Sequence, residues 1–427
     1  MKWLNKIIQI FKIKDLRKKI FFVLMILVIF RIAANIPIPG IDIERLKQFF
    51  ANNQLFGLMN IFTGGAMSNL SIIMLGLGPF ITATIIMQLL TMIFPKLEAI
   101  YKEEGEAGRQ KFNQYGRMLA VPMAILQSYA MLTLLSRQNI ITFASTFQWI
   151  TSIIVATAGA LFLMWLGELI SEKGIGNGVS LLIFAGIVSS VPLSIRELMV
   201  TYDPSKIPAY VAFFVVALII TSGVIIITEG RRNIPVSYAK RVRGNKMYGG
   251  VSTYLPLNIN PAGVIPIIFA LSIMLFPGVI ANFLGGSSIG WIANIAQLVG
   301  RLFENPWFYG IAYFLLVVLF TYFYTAVTFN PKNVSSNLQK MGGFIPGIRP
   351  GKSTTDFLYF ILNRILFFGA IFLGTIAVLP SIVQGATGIT AFGFIIGGTA
   401  LLIVVSVVLE TMRQINSQLT MRDYEGL

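Results

Sequence analysis

Apolar runs close to 20 residues long recur from one end of this chain to the other, and no other feature limits the fold so strongly. A run of about 20 apolar residues is what an α-helix needs to cross the hydrocarbon core of a bilayer. No water reaches the backbone there, so a spanning segment must satisfy its own N–H and C=O groups, as a helix or within a closed barrel. A barrel strand alternates apolar and polar residues; these runs are continuous. Composition agrees: 56% of the residues are hydrophobic and only 12% are charged, about half the share usual in soluble domains. The expected architecture is an all-α integral membrane protein with ten transmembrane helices, at 20–36, 72–93, 114–135, 149–170, 177–191, 208–228, 262–283, 307–329, 358–380 and 391–412.

The first 30 residues have a basic start followed by an apolar run, as a signal peptide does. The basic part is long and no small-x-small cleavage site follows, so the segment reads as a retained amphipathic stretch leading into the first span. Of the 33 Lys and Arg, 25 fall on the side that holds both termini and six on the other. That bias places both ends in the cytoplasm.

Helix breakers interrupt the apolar pattern at two related places. "MLGLGPFITATI" opens the second span with Gly76, Gly78 and Pro79, just after Gly64 and Gly65 in "FTGGAMSNLS". "PAGVIPIIFALSIM" opens the seventh, and Gly263-x-x-Pro266-x-Ile268 repeats Gly76-x-x-Pro79-x-Ile81. The copies lie five spans apart, an odd number, so they cross the membrane in opposite directions. This suggests two inverted five-helix halves, 1–200 and 201–427, with a central site where they meet.

Several functions are excluded. The chain has no Cys and no His, so disulfides, thiolate catalysis and the usual zinc or haem ligands are absent. No cofactor is expected, and no catalysis of the chain's own. Coupled transporters and pumps keep ionisable groups near the bilayer midplane, whereas Arg31, Glu168, Arg364 and Glu410 lie towards span ends. "PGIRPGKST" ends like a phosphate-binding loop, but Pro346 stands where its first Gly would be. What remains inside is apolar: Leu77 and Ile81 share a helix face, as do Val179 and Ile183 after the break "KGIGNG".

Two cytoplasmic loops, 229–261 and 330–357, are long and basic. "IPVSY" and "STYLPL" alternate like short strands around a tip with Lys240, Arg241, Arg243 and Lys246. The second loop holds Arg349 between Ile348 and Pro350. Projecting cations of this kind suit an acidic protein face or RNA phosphate.

These residues carry a resemblance. "NIPIPG", "IFTGGAMSNLSI", "LGLGPFITATIIMQLL", "EGEAGRQKFNQYGR", "WLGELISEKGIGNGVSLLIFAGI", "RRNIPVSYAKRVRGNKMYGG", "NPAGVIPIIFA", "FNPKNVSSNLQKMGGFIPGIRPGKST" and "GGTALLIVVSVVLE" follow in the order found in the SecY family, the central subunits of bacterial protein-translocation channels. The resemblance covers essentially the whole chain. It implies a channel that passes unfolded precursor polypeptides across the cytoplasmic membrane and releases signal sequences and other apolar segments sideways into lipid. It implies a plug at 55–70 that swings on Gly64, Gly65, Gly76, Gly78 and Pro79, and a ring at the waist of Leu77, Ile81, Val179, Ile183, Ile268 and Ile403. A lateral gate would lie between spans 2 and 3 and spans 7 and 8, with Gln88, Gln127 and Ser272 along it. SecE and SecG would be companion subunits, and Lys240, Arg241, Arg243, Lys246 and Arg349 would dock the motor ATPase SecA or the ribosome. Tyr254 and Asn258 replace the His and Lys often found in that loop. The rival reading is a small-molecule secondary transporter with inverted repeats, which accounts for the breaks but not for the large basic loops.

Overall fold

The computed structural model describes residues 12–38, 60, 63–102, 104–137, 140–141, 145–200, 204, 207–238, 241–243, 246–248, 252–284, 290–387 and 398–425. Each of the ten apolar runs holds a helix among the described residues; the second starts at Gly78, six residues after the expected 72, because 72–77 are in turns, and residues 391–397 of the tenth run lie outside the described residues. In chain order these are α1 (Lys14–Ala33), α2 (Gly78–Ile93), α4 (Gly105–Arg137), α5 (Thr146–Lys173), α6 (Gly178–Val200), α7 (Ile207–Glu229), α8 (Ile265–Leu284), α10 (Pro306–Thr328), α12 (Lys352–Thr387) and α13 (Gly398–Glu425). Among the described residues three helices are interposed: α3 (Pro95–Lys102), α9 (Gly290–Glu304) and α11 (Pro331–Lys340). Six of the ten are long and apolar enough to span a bilayer on their own, and α2 joins α3 through a 110° bend at Phe94 to make a broken seventh.

The boundaries follow local chemistry. Pro79 and Pro306 sit in the first turns of α2 and α10, where a missing N–H costs nothing. Ser145 caps α5 and Asn305 caps α10, each accepting a backbone N–H. α6 runs nine residues past the expected 191, because Pro192 is tolerated inside it. α4, α12 and α13 overrun their apolar windows into polar sequence, since a helix outside the bilayer is no longer limited by its thickness.

The two sets of five helices meet along α2 and α8, α4 and α8, and α6 and α13. One apolar cluster fills the junction and draws on α1, α2, α5, α6, α7, α8, α10, α12 and α13. A second cluster joins the turn 63–77 to α4 and α5.

The alternating loop forms strands, as its sequence suggests. β1 (Arg231–Tyr238) pairs antiparallel with β4 (Ser252–Asn258), Arg231 opposite Asn258, and β5 (Gly343–Phe344) pairs on the other edge of β1. β2 (Arg241–Arg243) and β3 (Lys246–Tyr248) form a hairpin beyond them. The sheet rests on Ile234, Val236, Leu257, Leu338, Ile345, Leu358 and Ile361, so it is packed onto the ends of α11 and α12 rather than free in solvent.

Candidate functional site: an apolar waist and a basic face

The centre of the molecule is built where two helices start abruptly. Gly76 has φ +57°, and α2 begins two residues later. The left-handed region is readily open only to Gly, and space demands Gly here too: a Cβ would come to 2.9 Å from Thr63 Cγ2. Gly64, at φ +67°, is held against α6, where a Cβ would stand 2.9 Å from Gly186 Cα. Gly65 is also left-handed, at φ +82°. The segment 63–77 thus folds back on itself in turns and is tied to the chain after α1 by Ile38 N–H to the Leu70 carbonyl and Ile72 N–H to the Ile36 carbonyl. Residues 55–59, 61 and 62, most of the first part of the expected plug, lie outside the described residues. Gly78 is not left-handed; it is the first residue of α2, its missing side chain facing Gln127 Oε1.

Four of the six expected ring residues, Leu77, Ile81, Ile183 and Ile268, line one cavity with Phe30, Leu163, Leu182 and Leu271. Its volume is about 70 Å³, room for a few waters but not for an extended polypeptide. The other two belong to the same apolar cluster without lining the cavity: Ile403 is fully buried, and Val179 packs beside Gly167 of α5. The hydroxyls at the cavity already have acceptors, Thr63 on the Asn60 carbonyl and Ser272 on the Ile268 carbonyl. Among the described residues no ionisable side chain lines it.

The polar residues expected along the gate do not meet one another. Gln127 Nε2 donates to Thr82 Oγ1 at 3.3 Å, tying α4 to α2 on one side of the junction. Gln88 Oε1 is buried without a donor, and Ser272 bonds back to its own helix. Across the junction α2 and α4 pack directly on α8.

Three of the four charged residues near span ends have partners of their own. Glu168 pairs with Arg117 between α5 and α4. The Arg364 guanidinium lies 4.1 Å from the centre of the Phe360 ring. Arg31 donates to the Gly64 carbonyl and to Ser189 Oγ.

On the basic face, Arg349 is exposed on the loop between β5 and α12. Gly347 and Gly351 on either side are left-handed, at φ +82° and +101°. Ile345 is buried beneath the loop, the Ile348 N–H bonds the Ile345 carbonyl, and Thr354 Oγ1 bonds the Arg349 carbonyl. The guanidinium is therefore presented by a fixed backbone. Arg241 and Arg243 lie on β2 and Lys246 on β3, with Arg243 opposite Lys246; Lys240 lies outside the described residues.

Sequence patterns missed Phe30, Leu163, Leu182 and Leu271 as cavity residues. Leu271 sits one turn beyond Ile268 and could have been found by helical spacing; the others lie on helices apolar on several faces.

The sequence model of the SecY family matches residues 71–412. The chain belongs to the SecY family. It is 43% identical to the protein translocase subunit SecY of Corynebacterium glutamicum, covering 99% of this chain and 100% of that one. It is 43% identical to the Streptomyces galbus subunit, covering 97% and 98%. The fold is similar to a structure described as a protein-conducting channel, with TM-score 0.63 at 20% identity, covering 93% of this chain and 91% of the other. It is similar, at TM-score 0.61 and 20% identity over 93% and 91%, to a structure reported as showing that the plug domain of SecY stabilises the closed state and maintains a membrane seal. Canine Sec61 in a ribosome–channel complex gives TM-score 0.61 at 19% identity, with 93% and 91% covered. As a SecY-family member this multi-pass membrane protein is a channel subunit, not an enzyme, and ten helices in two inverted sets of five are the SecY arrangement.

Proposed function

We infer that this chain is the channel-forming subunit of a bacterial protein translocase, with the apolar cavity as its resting waist. The observation that carries the reading is the convergence of aliphatic side chains from α2, α6, α8 and α13 on one cluster whose cavity, among the described residues, no charge lines. Leu77, Ile81, Val179, Ile183, Ile268 and Ile403 form the ring. Aliphatic side chains part around a passing chain without preferring its sequence, then close again. Segment 55–70 is the plug, and its hinges are Gly64, Gly65, Gly76, Gly78 and Pro79. The left-handed turns there support this reading.

The lateral gate lies between α2 and α4 on one side and α8 and α10 on the other. An apolar client segment that reaches it partitions into lipid by its own hydrophobicity. Lys240, Arg241, Arg243, Lys246 and Arg349 form the docking face for SecA or the ribosome, and SecE and SecG are the companion subunits. The membrane is the bacterial cytoplasmic membrane, with both termini inside, as the distribution of Lys and Arg supports. The halves divide near residue 200.

The test is reconstitution of the chain with its companion subunits and motor in sealed vesicles. Protection of an added secretory precursor from protease, dependent on ATP, is the expected result. Uptake of a small solute without precursor protection would instead favour the transporter reading.

A further inference from the structure

Arg31 has a position that helix-end solvation does not explain. It lies in the last turn of α1, and its guanidinium reaches two other parts of the chain. One hydrogen bond goes to the carbonyl of Gly64, the other to Ser189 Oγ on α6 at 3.1 Å. Ser189 Oγ itself lies 2.8 Å from the Gly186 carbonyl, and Gly186 is the residue against which Gly64 is pressed. No carboxylate pairs with Arg31 among the described residues. Nearby, Asn35 Nδ2 bonds the Arg31 carbonyl, and Asn69 Nδ2 reaches Asn35 Oδ1 at 3.4 Å. Arg31 thus joins three segments at one point: the end of α1, the glycine turn and the wall helix α6.

We propose that Arg31 is the positioning residue that seats the plug, a clasp whose two hydrogen bonds hold the glycine turn against α6 while the channel rests. This deepens, and rests on, the reading of 55–70 as a plug. The chemistry suits a clasp that must release. A guanidinium presents several N–H donors in a fixed fork, so one side chain can bond a main-chain carbonyl and a hydroxyl together. A charged donor on a neutral carbonyl makes a strong hydrogen bond. Because the partners are neutral and Arg31 is exposed, water can replace them when the turn moves away, and no buried counter-charge is left behind. An Arg–carboxylate pair in the same place would be harder to open. The contact at Gly64 also selects the residue there, since any side chain would push the turn off Gly186 and away from the guanidinium.

The test uses the absence of native Cys. Ala66, two residues past the clasp, is fully buried at rest. In the assembled channel, Ala66→Cys is labelled with a membrane-impermeant maleimide, and Ala370→Cys, equally buried on α12, reports general loosening. Adding Arg31→Gln is expected to speed labelling at position 66 on the order of tenfold, the worth of one charge-assisted hydrogen bond, with position 370 unchanged. Arg31→Lys, which keeps a charged donor, is expected to restore most of the protection, and Ser189→Ala to give a smaller rise. Unchanged labelling at 66 in Arg31→Gln, or an equal rise at both positions, overturns the clasp. The plug reading is tested separately by jamming a precursor in the channel that retains Arg31. Faster labelling at 66 than at rest supports a moving plug, and no change overturns that reading whatever Arg31 does.

Discussion

Gly76 and Gly263 adopt the same left-handed backbone, at φ +57° and +63°, each two residues before an inward-packed membrane helix. Pro79 and Pro266 follow in the first turns of those helices. The repeat visible in the sequence is therefore a repeat of conformation, on α2 and α8, which pack against each other. The two glycines differ in surroundings. A Cβ at Gly76 meets Thr63, whereas one at Gly263 meets nothing within 4 Å. Gly263→Ala is expected to cost about 1 kcal/mol, the strain of a left-handed non-Gly residue. Gly76→Ala is expected to cost more, and Thr63→Ala in the same chain to recover the excess. Thermal midpoints of the purified channel across this double-mutant cycle check the coupling.

The ring is expected to seal by apolar contact. Ile81 and Ile268 both line the cavity. Replacing both with Gly is expected to raise resting ion leak through channel-bearing vesicles at least several-fold. Unchanged leak in the double variant would show that these residues do not form the barrier.

Gln88 holds a buried acceptor without a partner. An unmade hydrogen bond costs roughly 1–3 kcal/mol, whereas an apolar replacement of similar shape can be neutral or stabilising. Gln88→Leu is expected to keep or raise the thermal midpoint and to raise the hydrophobicity a client needs for lateral release. Gln127→Leu, which removes a bond on one side of the junction only, is expected to leave that threshold unchanged. Midpoints and a graded series of client segments measure both.

Arg349 is exposed, and its loop is held by its backbone and by Ile345, not by its own guanidinium. Arg349→Ala is therefore expected to change stability by no more than about 0.5 kcal/mol, the usual range for a surface site, while motor-driven translocation falls about tenfold or more. A comparable loss of stability would mean that the residue builds the loop instead of docking a partner.

How far the sequence could be read depends on the range of each interaction. The ten helices were legible because lipid imposes one length and one secondary structure on every span, and β1 and β4 because alternation survives in a half-buried sheet. The breaks at Gly76 and Gly263 were legible because Gly and Pro act locally. The inward face of each span was not, since a helix apolar on several sides carries no mark of which side meets a cavity; hence Leu163 and Leu182 were missed. Arg31 read as an end charge because its acceptor, the Gly64 carbonyl, lies 33 residues away and only the tertiary fold brings it near.

The most direct measurement of the central claim is a crosslink at the waist. A single Cys installed at position 81, in a chain that has none, is assembled with motor and ATP and challenged with a precursor jammed mid-passage that carries its own single Cys. A disulfide between the two is the expected result and places a translocating polypeptide against the ring. No disulfide, with the precursor bound and position 81 still reactive to small thiol reagents, would contradict the account and remove Ile81 from the path.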